Sequence, residues 1–297
     1  MSKKLFFSLF IIISTAANFQ AQRHELGIRF GASNIVGDIG KTNYILQALT
    51  TKSISKFGIP AYGGIIYRMN FNPYQTLRFD LGYNHVQFDD RDAKEEYRRN
   101  RRLYGTNNII EADAIFEYNF FPVNNEQQHG MLSPYIFAGG GAMMYDVTQA
   151  QLDHDFRRDA NGVAQAPVNE LDFVTKVTYE SNKKVNAYIP FGVGLKYKFN
   201  YNWALSGEVM FRPTFTDQLD YSDIVEKDVK SSYNADILAP STTTSLLQTG
   251  VYYSVSKERE AELLKSRLVG DPNIKDWLNS ITLGITYSFG RPPCYCE

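Results

Sequence analysis

The chain has 297 residues, with 31 Lys and Arg against 32 Asp and Glu and a formal net charge of -1 at pH 7. That balance argues against a nucleic-acid partner. Two cysteines, Cys294 and Cys296, are too few for a disulfide-stapled scaffold.

At the N-terminus, Lys3 and Lys4 precede the apolar run Leu5 to Ile13, which relaxes into Ser14-Thr15-Ala16-Ala17. A basic start, a short apolar run and a small-residue exit are the build of a secretory signal peptide. The run is too short to span a bilayer, which takes roughly 20 apolar residues. Residues 1–21 are therefore expected to be removed after Ala21 (or, alternatively, after Ala17). The mature protein, 22–297, then carries no second long apolar run.

Period-two alternation follows along the chain. Leu26, Ile28 and Phe30 alternate with Glu25, Gly27, Arg29 and Gly31; Ile65, Tyr67, Met69 and Phe71 alternate with Gly64, Arg68 and Asn70. The third segment sets Leu77, Phe79, Leu81 and Tyr83 against Arg78, Asp80, Gly82 and Asn84. In the fourth, Ile110 to Phe120 on even numbers opposes Glu111, Asp113, Glu117 and Asn119. The fifth, Tyr135 to Tyr145, is Gly-rich and leaves its two faces ambiguous. Phe191 to Phe199 makes the sixth against Gly192, Gly194, Lys196 and Lys198. Trp203 to Arg212 is the seventh, carrying Ser206 and Glu208 on its polar face, and Ser280 to Phe289 is the eighth.

An antiparallel sandwich would also alternate. Two features favour a membrane barrel instead. Long connections (32–60, 88–107, 146–185 and 213–275) interleave with short ones (Asn72–Tyr74, Phe121–Met131, Asn200–Asn202), as in bacterial barrels with long extracellular loops and short periplasmic turns. Charges also fall at mid-strand on the polar face, where a sandwich would be apolar, so lipid suits the other face. The expected fold is all-β: an antiparallel transmembrane β-barrel of eight strands in the outer membrane, both ends periplasmic. The last strand ends in Thr282-x-Gly284-x-x-Tyr287-x-Phe289, the pattern read by the barrel-assembly machinery, with residues 290–297 following as a periplasmic tail.

Eight strands leave an interior that side chains fill. Arg29, Arg68, Arg78, Lys196 and Lys198 are expected to meet Asp80, Glu111, Asp113, Glu117 and Glu208 there as a structural charge network. Glu111 and Asp113 share a face and would suit acid-base work, but no His or Ser joins them in a nucleophilic set. His24, His85, His129 and His154 show no metal spacing, and no metal or cofactor is expected.

Arg98, Arg99, Arg101 and Arg102 form a basic run in the second long loop, either a solvated face or a contact for lipopolysaccharide phosphates. Lys257 to Leu268 suggests an amphipathic helix with Leu263, Leu264 and Leu268 on one side, able to cap the barrel mouth or to dock on a partner. After Phe289, Pro292 and Pro293 stop the strand. Cys294 or Cys296 is then a candidate for a disulfide to a periplasmic partner; a strained internal bridge or unpaired thiols are the alternatives.

Several segments together resemble the PorG family, the outer-membrane barrels of the type IX secretion system. They run from Arg23 (RHELGIRFGASNIVGDIGKTNYI), Asn107 (NNIIEADAIFEYNFF), Pro134 (PYIFAGGGA), Ile189 (IPFGVGLKYKFNYNWALSGEVMFRPTFTDQLDYS) and Ile281 (ITLGITYSFG). Gly37-Asp38-Ile39-Gly40 and Phe211 to Asp217 are the most specific. The resemblance implies a non-enzymatic role in protein secretion and, in some bacteria, gliding motility. It implies partners too: a periplasmic ring built by a PorK/GldK-type lipoprotein with a PorN/GldN-type protein, held against the outer membrane. A small OmpA/OmpW-like pore or structural barrel is the alternative. An outer-membrane acyltransferase would need a nucleophile-base set that the sequence does not offer.

Overall fold

The computed structural model describes residues 23–45, 51–123, 130–156, 160–161, 173–200, 202–233, 243–267, 269–271 and 273–290. Residues 1–21, expected to be a signal peptide, His129, Leu268 and the tail bearing Cys294 and Cys296 lie outside the described residues.

Among the described residues ten strands form one sheet. They are β1 (Arg23–Val36), β2 (Ala61–Asn70), β3 (Gln75–Asp89), β4 (Tyr104–Asn119) and β5 (Met131–Phe156), then β6 (Phe173–Tyr188), β7 (Phe191–Lys198), β8 (Trp203–Pro213), β9 (Val229–Tyr233) and β10 (Trp277–Phe289). Eight of them close a ring in the order β4, β3, β2, β1, β10, β8, β7, β5 and back to β4. Every pairing in the ring is antiparallel. These eight are the eight segments whose alternation was read above. Closure removes the free edges that a sheet would otherwise expose.

The barrel is apolar outside and polar inside. Leu283 on the outer face is 73% exposed and Val193 55%, whereas Arg29, Arg68 and Arg78 on the inner face are fully buried. Aromatic rings gather at both rims. At the short-turn rim, Trp203 meets Tyr287 at 5.1 Å and His24 stacks on Phe289 at 5.7 Å. At the other rim, Phe191 contacts Phe211 and Trp277. Two girdles bounding an aliphatic band are the surface of a barrel built for lipid. No helix among the described residues is long and apolar enough to cross a membrane.

Asparagines set two of the short turns. Asn72 Oδ1 accepts from the N–H groups of Tyr74 and Gln75, and Asn200 Oδ1 does the same for Asn202 and Trp203. Such side-chain acceptors mimic a backbone turn and close it in few residues. The start of β1 and the end of β10 lie at this same rim, paired as His24 with Phe289.

The long connections depart from the sequence reading in two places. The third, expected as a loop over 146–185, is an arm. Here β5 runs 26 residues and pairs along Gly141–Phe156 with β6, past the point where β4 leaves it. The short β9 joins β5 in parallel at Ala150–His154. In the fourth, the helix spans Thr243–Arg267 rather than beginning at Lys257.

Candidate functional site: the filled lumen and its cap

The inner face of the ring carries the ten charged residues named from sequence, all buried. Glu208 on β8 is the hub. It accepts from Arg29 at 2.8 Å, Arg78 at 3.0 Å, Arg68 at 3.1 Å and the Tyr135 hydroxyl at 2.6 Å. Arg29 also reaches Asp80 at 2.7 Å, and Arg68 binds Glu117 through Nε at 3.0 Å. Near the short-turn rim, Lys196 lies 3.6 Å from Glu25. Toward the loops, Arg212 donates to Glu111 at 2.9 Å and the Tyr188 hydroxyl donates to Asp113. Glu111 and Asp113 thus hold separate partners, and Glu111 also accepts from Asn84 at 2.9 Å. Lys198 is buried in the short-turn half of the same face.

Sequence reasoning left Glu25, Arg212 and the lumen tyrosines Tyr62, Tyr135 and Tyr188 out of the network. The signal that locates the rings is glycine on the neighbouring inner face. A Cβ on Gly194 would fall 2.3 Å from the Tyr135 ring, and one on Gly141 would fall 2.6 Å from the Tyr188 ring. The Gly-rich β5 is thereby resolved: Tyr135, Phe137, Met143 and Tyr145 point inward. In the closing strand, Gly284 faces the lumen between Arg29 and Ser206, while Tyr287 and Phe289 lie on the outer face.

Above the charges, the loop end is closed by an ordinary apolar core. Ile35, Phe88, Ile109, Val147 and Leu278 from the strand ends pack with Ile39 and Leu219 from the loops. Ile39 belongs to Gly37–Gly40, and Leu219 lies two residues beyond Phe211 to Asp217. The two segments most specific to the family resemblance therefore meet in one cap. The Ile39 N–H donates to Asp220 at 2.7 Å, and the Leu219 N–H donates to Asp276 at 2.8 Å.

The basic run locks this cap from the side. Arg98 Nη1 donates to the carbonyls of Gly37 (3.1 Å) and Gly40 (3.0 Å). Arg101 reaches the Asp38 carbonyl at 2.7 Å and the Asp90 carboxylate at 2.7 Å. Arg99 donates to the carbonyls of Ala93 and Lys94. Arg98 and Arg101 are therefore structural clamps rather than a solvated face. His24 bonds Tyr67 at 2.8 Å, His85 bonds the Phe57 carbonyl at 2.8 Å and His154 bonds Thr175 at 3.0 Å. Among the described residues no His, Cys, Asp or Glu group is arranged to hold a metal ion.

Known structures with some likeness include an outer-membrane protein and a β-barrel domain. Ail of Yersinia pestis, crystallised with the heparin analogue sucrose octasulfate, matches with TM-score 0.38 and 11% identity over 91% of this chain and 99% of Ail. The N-terminal barrel of Pseudomonas aeruginosa OprF gives 0.34 and 11% over 91% and 98%. A major outer membrane protein of Thermus thermophilus gives 0.36 and 13% over 91% and 100%. At TM-scores this low the fold rests on the strand pairings described above, not on these likenesses. No curated protein matches the sequence. The model of one family does match, over residues 3–168, and more than half of the chain thereby falls within it: the protein belongs to the family described as a domain of unknown function, DUF6089.

Proposed function

We propose that this chain is an exported, non-enzymatic outer-membrane component of the type IX protein secretion machinery. It anchors or assembles the periplasmic ring of a PorK/GldK-type lipoprotein and a PorN/GldN-type protein at the membrane, and serves gliding motility in cells that glide. The observation that carries this reading is the filled lumen. Buried ion pairs occupy the barrel's interior and an apolar cap closes its loop end, so the molecule offers surfaces rather than a passage or a reaction site. Cys294 and Cys296, on the tail beyond β10, are the residues placed by the sequence for a periplasmic contact.

The test is a detergent pull-down of the mature barrel, with and without Cys294→Ser and Cys296→Ser. The ring lipoprotein should be recovered with the parent chain, and a reductant-sensitive adduct should vanish in the double variant. Recovery of no periplasmic lipoprotein from either form would sink the secretion reading and leave a small OmpA/OmpW-like structural barrel. The same filled lumen supports that second reading. Stable conductance in planar bilayers would instead turn it toward a pore.

A further inference from the structure

The cap holds more buried acid than its surroundings balance. Asp217 is 3% exposed, both of its carboxylate oxygens are sealed from solvent, and neither accepts a hydrogen bond from a described residue. Asp276 is fully buried; its Oδ2 takes the Leu219 N–H and its Oδ1 accepts from no described residue. Asp220 is likewise fully buried and accepts from Ile39 and Ser222. Oxygens of Asp276 and Asp220 lie 2.4 and 2.5 Å from the point a Cβ of Gly37 would occupy, so only glycine lets the two carboxylates close on the turn. Asp38 flanks them and accepts the Asp271 N–H at 3.0 Å.

We infer that Asp217, Asp220 and Asp276, with Asp38 beside them, form a proton-operated latch that holds the cap shut while the cluster is protonated and loosens it as the cluster ionises. These carboxylates come from three connections: the one after β1, the one after β8 and the one leading into β10. Ionised, they repel one another across buried space; protonation removes both that repulsion and the cost of holding bare charges away from water.

The surroundings are mixed. Lys275 and Asp223 face Asp217. Lys184 and Lys227 border the adjoining cavity of about 360 Å³, and Lys184 is already bound to Asp228 and Gln218. On the β3–β4 side, Arg98 and Arg101 act on Asp38, and Asp90 takes Arg101.

Burial, followed by the charges of Asp220 and Asp38, pushes the Asp217 carboxyl up to about 8. Burial and the neighbouring acids push Asp276 well above the usual carboxylate range. An acid whose value is raised in the closed form binds a proton on closing. Between its ordinary value and the raised one, each such group weakens closure about tenfold per pH unit as the pH rises. The latch is therefore tightest below about pH 4 and loosest above about pH 8.

Amide hydrogen exchange on the full mature chain in detergent micelles, corrected for intrinsic rates, tests this. Protection of Gly37–Gly40 and Thr214–Ser222 should fall at least tenfold from pH 6 to pH 9, with the barrel strands β1 and β10 unchanged. Asp217→Asn, which removes a charge and no hydrogen bond, should keep the cap protected at pH 9. Protection that is flat with pH in the parent chain overturns the inference. So does protection at pH 9 restored by millimolar calcium, because a cation rather than protons would then hold the cluster.

Discussion

The barrel wall and the cap solve the same packing problem with opposite chemistry. Between the aromatic girdles the outer face is apolar and the interior is ionic, centred on Glu208. One layer higher, Ile39, Phe88 and Leu219 make an apolar interior, and the charges of Arg98 and Arg101 are turned to its flank. The change marks where the solvent around the protein changes. In lipid, outward side chains must be apolar and the inside can be polar only if every charge is matched. In water, burying hydrocarbon again drives closure.

The largest test of that contrast is at the hub. Glu208→Leu leaves Arg29, Arg68 and Arg78 sharing Asp80, Glu117 and the more distant Glu25, and an uncompensated buried charge costs about 3–5 kcal/mol. Glu208→Gln should cost nearly as much, because it keeps the shape and removes the charge. Urea unfolding in detergent, followed by the heat-modifiable shift on gels, measures both. If the Gln variant matched the parent, packing rather than charge would hold the lumen.

In the cap the same logic predicts the reverse sensitivity. Leu219→Ala removes a fully buried apolar side chain and should cost the cap about 2–4 kcal/mol. The loss should appear as proteolysis at the loops around Leu219, while the heat-modifiable barrel survives. A variant that unfolded wall and cap together would show that they are one cooperative unit.

How much of this could be read beforehand follows from the same division. The wall was legible because lipid enforces strict alternation, so Leu26, Ile28 and Phe30 against Glu25 and Arg29 announce a strand. The arm was not legible. Beyond the lipid both faces of β6 are exposed, and on β5 the buried residues change phase, from Tyr145 and Val147 to Ala150, Leu152 and His154. The first half of the Thr243–Arg267 helix was hidden by Thr, Ser, Val and Gly, which favour helix weakly. The inward tyrosines were not legible because Tyr62 and Tyr188 lie outside the alternating segments and Tyr135 lies in the Gly-rich one, whose faces the sequence leaves ambiguous. The contact of Ile39 with Asp220 spans 181 positions, a distance over which local pattern carries no information.

The smallest prediction concerns where the arm leaves the wall. Lys183 on β6 bonds Asp146 on β5 at 2.8 Å, with the Lys183 side chain 56% exposed. An exposed pair of this kind is worth about 0–1 kcal/mol, because water screens it and ordering a lysine costs rotamer entropy. Lys183→Ala should therefore leave the unfolding midpoint within error and alter only local protease sensitivity in the arm. A shift as large as that of Leu219→Ala would mean that the base of the arm belongs to the cap's cooperative core. The boundary between lipid-facing wall and water-facing cap would then lie lower on β5 than Asp146.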